Sequence, residues 1–436
     1  MVYFIVYFPS IHAQSQLDTY IREGLENNES LKQQKFALQK SLYALKEAKS
    51  LFLPMLTAGV SYNLSDGGRT ISIPVGDMLN PVYSTLNQLT GSDRFPQVDN
   101  MEEQLNPNNY YDARLRFSLP VVDAEIYYNK EIKKHSIQLE EIELHLYERE
   151  LVKEIKISYF QYAQAKETVK IYQNALFLAK ENLRINRSLL QNGRTNHTTV
   201  LRSENEVIKV ETILASSLIT QQNCAAYFNF LLNKPLDSEV ICELPLVFQE
   251  SSLTSGEREE LNKLNKAQTV LMLNKKLNKS FIYPKLRTFV DAGSQGFDWK
   301  VNNKTAYYLF GVSLEWNFSL GGRDTHRVKQ VSIEQEKLKS QINQVEEQLN
   351  LQISIAQNSL QDVTQQYDAS LKQLATAERY YTEQMSVYRE GTLLYIEMLD
   401  AYNQYIQAKI ETNIAQYAIY IKQAELERAN ASFNLQ

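Results

Sequence analysis

Cysteine, proline and glycine are all scarce in this chain, and each scarcity excludes something. Cys224 and Cys242 are the only cysteines in 436 residues, so no disulfide framework holds the fold. These two thiols either pair with each other or stay free. Glycine numbers 14 and proline 10, well under ordinary usage, so few turns punctuate the chain. With abundant Leu, Gln, Glu, Lys and Ala, low punctuation predicts long helices. No run of 18 apolar residues exists, which excludes a transmembrane helix. Such a chain can span a membrane only as a closed β-barrel, because lipid leaves unpaired backbone groups unsatisfied. The formal net charge of -5 predicts no general attraction to nucleic acid. The five histidines, His12, His135, His145, His197 and His326, show no ligand spacing. No phosphate-cradling glycine loop, nucleophile elbow or paired-carboxylate constellation occurs either. Neither a cofactor, a metal nor an enzyme activity is expected.

What is present is an order of elements that occurs twice. In the first half a proline, Pro54, precedes a strand-like stretch, and a second strand ends at Phe117-Ser118-Leu119. A long helix then stops at Gly193, before Val200-Leu201. The second half repeats this with Pro284, Phe318-Ser319-Leu320, Gly391 and Met398-Leu399. Phe117 and Phe318 lie 201 positions apart, and Gly193 and Gly391 lie 198 apart. A duplicated supersecondary unit is the simplest reading. It divides the chain into a first repeat over 14–235, a linker over 236–256 and a second repeat over 257–436. Residues 1–13 read as the remnant of a secretory signal peptide, a short apolar stretch ending at Ala13 that lacks a basic n-region.

Periodicity fills in the elements. Apolar positions from Leu17 to Ala48 recur at spacings near three and four, predicting one helix over 15–50. From Leu56 to Leu64 the period changes to two, predicting a strand, and residues 66–109 read as one large loop. Residues 111–119 form a second alternating strand, closed by Pro120. A third, weaker strand covers 286–294. The fourth runs from Tyr308 to Leu320 with an aromatic and aliphatic face. Helices without a single Pro or Gly cover about 123–191 and 325–389, and shorter ones return over 199–232 and 394–430. Two half-length helices stacked end to end match one long helix, the geometry of an antiparallel cylinder with strands at one end and glycine turns at the other.

Four strands of roughly 9–13 residues with one apolar face suit an outer-membrane barrel. Tyr62, Tyr111, Tyr308 and Trp316 are candidates for the interfacial aromatic girdle. Four strands cannot close a barrel, so the chain is expected to oligomerise, and three copies give twelve strands around an aqueous channel. An amphipathic sheet packed on the helices is the plainer alternative.

These residues resemble the TolC-like outer membrane efflux protein family. The likeness rests on the helix-Pro-strand junctions at Pro54 and Pro284, the segment Ser319-Leu320-Gly321-Gly322-Arg323, and the turn from Tyr388 through Gly391 to Ala401. It implies a mainly α fold with a β-barrel part. Four strands per chain would form a shared 12-stranded barrel on a periplasmic α-helical barrel in a homotrimer. It also implies a passive exit duct of a tripartite efflux or type I secretion system. Its partners would be outer membrane lipid, a periplasmic adaptor and an inner-membrane pump of RND or ABC type. By the same resemblance Glu397 and Asp400 would ring the periplasmic constriction and Tyr388 would gate it, with Gly193 and Gly391 turning the helix hairpins. The ring would favour cations; alternatively, the two acids merely complement a helix dipole. An Arg–Asp lock expected from the family finds Leu393 and Thr199 in its place. The reading from another class is a structural coiled-coil spacer or tether of the cell envelope.

Overall fold

The computed structural model describes residues 16–106, 108–242 and 258–433. The signal-peptide reading of 1–13 and the linker segment 243–256 lie outside these residues. Elements follow the order α1 (Gln16–Asn27), α2 (Glu29–Ser50), β1 (Met55–Asn63), β2 (Thr70–Ile73), α3 (Val75–Thr90), β3 (Met101–Gln104), β4 (Tyr110–Val122) and α4 (Ala124–Gln191). Then come α5 (His197–Leu231), α6 (Glu259–Asn278), a short 3-10 turn, β5 (Lys285–Phe297), β6 (Ala306–Glu315), α7 (Arg323–Arg389) and α8 (Tyr395–Asn430). Among the described residues no helix is long and apolar enough to cross a membrane.

The chain forms two compact units, and both repeats contribute to each. The helical unit comprises residues up to Tyr43, Lys134–Met272 and from Ser332 onward; the strand unit comprises Ala44–Lys133 and Leu273–Val331.

In the helical unit, Tyr20, Ile21, Leu31, Ile155, Tyr159, Phe228 and Leu232 form one core. The Tyr20 and Phe228 rings meet edge to face at 5.1 Å, a favoured aromatic geometry. The expected single helix over 15–50 is broken at Asn28. Its side chain accepts the Leu31 N–H at 3.0 Å, as an N-cap does, and donates to the Leu231 carbonyl at 2.9 Å. A buried asparagine thus starts a new helix where no Pro or Gly marks the site.

In the strand unit, β1, β4, β5 and β6 pair antiparallel in that order. Register explains the two faces. Leu56, Phe117, Val290 and Phe310 form one cross-strand row, and Ala58, Leu115, Ala292 and Tyr308 the next. The opposite face carries the row Thr57, Arg116, Asp291 and Leu309, then Gly59, Arg114, Gly293 and Tyr307. Gly311 has no side chain where the Phe289 ring lies against it. Among the described residues no strand pairs with the outer edges of β1 and β6.

Three boundaries differ from expectation. Pro120 does not close β4; the strand continues to Val122 with a register shift between these residues, because a bulge accommodates the missing N–H. β6 ends at Glu315 rather than Leu320. Residues 66–109 are not one loop but contain β2, α3 and β3. Asp123 then stops β4 and starts α4, its carboxylate accepting the Glu125 N–H at 3.0 Å.

Candidate functional site

The two helix hairpins turn by the same device. At the end of α4 the Gly193 N–H donates to Leu190 O at 3.0 Å and the Arg194 N–H to Leu189 O at 2.9 Å. At the end of α7 Gly391 and Thr392 repeat these bonds to Tyr388 O and Val387 O at 3.0 and 3.4 Å. Both glycines have positive φ, 68° and 84°, which a side chain would strain. The following helices are capped by complementary halves of one motif. Asn196 accepts the Thr199 N–H at 3.0 Å. In the second repeat the corresponding cap is Leu394, which has no acceptor. There the Glu397 carboxylate reaches back to the Leu394 N–H at 3.3 Å.

Around the second turn, Ala175, Ala179, Val207 and Val210 from α4 and α5 pack against Tyr381, Met385, Tyr388, Tyr395, Met398 and Tyr402. Tyr388 is only 4% exposed, and its hydroxyl donates to Asn186 Oδ1. The Asn186 amide donates in turn to Ser203 Oγ, whose hydroxyl donates to Thr199 O at 2.9 Å. Tyr402 donates to the Ala175 carbonyl at 2.8 Å. Burial, reinforced by the neighbouring Tyr395, pushes the Tyr388 hydroxyl up to about 12. Burial likewise raises Tyr395 and Tyr402. All three are neutral at physiological pH.

Of the residues the sequence singles out here, Tyr388 lies inside this cluster, whereas Glu397 and Asp400 are exposed on the first turns of α8. Asp400 accepts from Gln404 at 2.7 Å, one helical turn away. Leu393 packs on the cluster's margin and Thr199 serves the α5 cap, so neither forms a charged pair. Sequence reasoning misses Asn186 and Ser203. Their signal is the comparison between repeats: 198 positions on stand Gln384 and Ala401, and Gln384 Oε1 is buried without a partner.

In the strand unit the four girdle candidates separate. Tyr62, Tyr308 and Trp316 are exposed, but Tyr111 is 1% exposed. Trp299 stacks on it at 5.1 Å and on Tyr62 at 5.2 Å, and is itself 52% exposed. Trp299 and Asp298 both adopt positive φ, near 55°, a turn that folds the indole back over the sheet. On the polar face Arg116 grips Asp291 through two bonds of 2.7 Å, and the Asp291 side chain is almost fully buried. Tyr307 donates to Asp112 at 3.0 Å beside the Arg114–Asp112 ion pair. Among the described residues no group of three or more His, Cys, Asp or Glu is placed to hold a metal ion.

Four antiparallel strands with one exposed apolar face and two duplicated helix hairpins make up the fold. Residues 20–217 match the family model for outer membrane efflux proteins. The fold is similar to that of the outer-membrane channel OprN, with a TM-score of 0.76 at 14% identity over 96% of this chain and 90% of that one. It is similar to the Campylobacter jejuni CmeC outer membrane channel, with a TM-score of 0.74 at 14% identity over 95% and 85% of the two chains. The outer membrane protein VceC from Vibrio cholerae gives a TM-score of 0.74 at 15% identity over 95% and 96%. No curated protein sequence matches the chain.

Proposed function

We propose that three copies of this chain close a twelve-stranded barrel in the outer membrane, with a large periplasmic helical part, and serve as a passive exit duct. The observation that carries this reading is the sheet itself. Its Leu56–Phe117–Val290–Phe310 face is exposed, and among the described residues both outer edges are open. An exposed apolar face with open edges is untenable in water and forbidden in lipid, so other copies must complete it. Three copies leave the Arg116–Asp291 face lining an aqueous lumen rather than packed solid, as eight strands would leave it. Tyr62, Tyr308, Trp316 and Trp299 supply the aromatic girdle, with Tyr111 backing Trp299 from beneath.

At the periplasmic mouth, Glu397 and Asp400 from three copies bring six carboxylates together, a ring that favours cations. Tyr388 holds the mouth closed. A groove of about 1000 Å³ in the helical unit, lined by Tyr172, Glu206, Lys209, Lys372 and Tyr402 among others, suits docking of a helical adaptor. The duct then receives cargo from an inner-membrane pump of RND or ABC type. A coiled-coil spacer has no use for the lipid-grade face, which favours the duct. Reconstitution into planar bilayers tests this: discrete, long-lived conductance steps are expected, and a protein that never conducts contradicts the duct.

A further inference from the structure

The polar face of the sheet carries a column of arginines whose acidic partners lie beneath them. Three ion pairs form on this face: Arg114–Asp112 at 3.2 Å, Arg116–Asp291 at 2.7 Å and Arg287–Asp123 at 3.4 Å. In each the cation is the outer member. The arginine side chains are 43, 42 and 50% exposed, and the three carboxylates only 15, 2 and 3%. Arg114 and Arg116 lie about 7 Å apart along β4. Arg287 on β5, in register with Pro120, extends the column toward the start of α4. The order reverses at Lys285–Glu125, where the carboxylate is the more exposed member, and there the column ends.

The buried carboxylates fix the cations in place. Asp291 accepts from both Nε and Nη2 of Arg116, whose guanidinium lies 4.9 Å over the Phe289 ring. Asp112 also accepts from Tyr307 at 3.0 Å, and Asp123 from the Glu125 N–H. A guanidinium has five N–H donors, so the two bonds of Arg116 to Asp291 leave three for another acceptor. Solvent therefore meets a row of oriented guanidinium edges.

We propose that this column is a binding track for anionic oxygen groups, phosphate or carboxylate, on cargo leaving through the barrel. The inference rests on the ring reading above and names a substrate class for it. β4 and β5 are the inner strands of the four, so seams formed at β1 and β6 leave the column uncovered. Three copies set three such columns around one lumen. Each pair is neutral overall, so the track acts at contact range, through charge-assisted hydrogen bonds that fit the planar fork of arginine. Its sign is opposite to that of Glu397 and Asp400 at the mouth.

The test is block of single-channel current by inorganic triphosphate, added in planar bilayers to the side of the β2–β3 hairpin. The full-length protein should show a concentration-dependent block that deepens when voltage draws the anion inward. Arg114→Gln with Arg287→Gln should raise the half-blocking concentration, measured against that variant's own open current, by about tenfold or more. Lys304→Gln, which removes a cation from the loop between β5 and β6, should leave the block as it is. If the double variant fails to assemble, Arg287→Gln alone replaces it. A duct that conducts and is never blocked by triphosphate overturns the track and leaves the duct standing. So does a block that survives in the arginine variant, or one that Lys304→Gln abolishes equally. A protein that never conducts removes the duct and the track together.

Discussion

The Tyr388 hydroxyl donates to the side chain of Asn186, 202 positions earlier, and so ties the end of α7 to the last turns of α4. Both groups are buried, so removing one strands the other; an unpaired buried acceptor costs roughly 1–3 kcal/mol. Tyr388→Phe should therefore shift the closed mouth toward opening by roughly 5- to 150-fold. Asn186→Leu should do about as much, and the double variant little more than either alone. Resting conductance in planar bilayers checks this, and additive effects show that the two side chains act separately. Tyr388 also sets a pH window. Its raised value favours the buried state fully below about pH 10, and this is lost toward pH 12. Alkaline loosening should shrink in Tyr388→Phe.

Leu393 packs on the tyrosine cluster and Thr199 serves the α5 cap, so the two make no charged pair. Replacing both with polar residues, for example Leu393→Gln and Thr199→Asn, should leave resting conductance little changed. A large rise from these changes alone places the lock there instead.

Glu397 has two roles that one substitution separates. Glutamine retains the acceptor that caps Leu394 but removes the charge. Glu397→Gln with Asp400→Asn should keep the melting temperature within a few degrees while reducing cation selectivity. Reversal potentials across a salt gradient read the selectivity. Unchanged selectivity reduces both acids to cap and dipole roles.

Arg116 and Asp291 predict an asymmetry. Asp291 is buried, whereas Arg116 is nearly half exposed. Arg116→Leu leaves the Asp291 carboxylate charged and unpaired and should cost more than Asp291→Asn, which keeps an acceptor for the guanidinium. The dissociation temperature of the assembled protein in detergent gels measures both, and the reverse order contradicts the placement of the pair.

How much of this was legible in the sequence follows from which interactions are local. The long helices were readable because nothing in 124–191 or 323–389 interrupts them, and the turns because Gly193 and Gly391 end them. The strands were readable from their period of two, and the family resemblance from the pattern at the junctions. The break at Asn28 was not, because its capping depends on the distant Leu231. α3 was hidden by Pro74, Pro81 and Gly91, which read as loop residues, and by the side-chain bonds of Asn80 and Asn87 to a segment that has no period of its own. Asn186 carries no local signal, since its partner is a tyrosine in the other repeat. Trp299 lies in a turn and joins the aromatic surface only by folding back on Tyr111.

The claim beneath all of these is that three chains complete one barrel. Native mass spectrometry of protein extracted from outer membranes tests it most directly. A detergent-dependent complex of three chains is the predicted result. A monomer that stays in solution without detergent contradicts it.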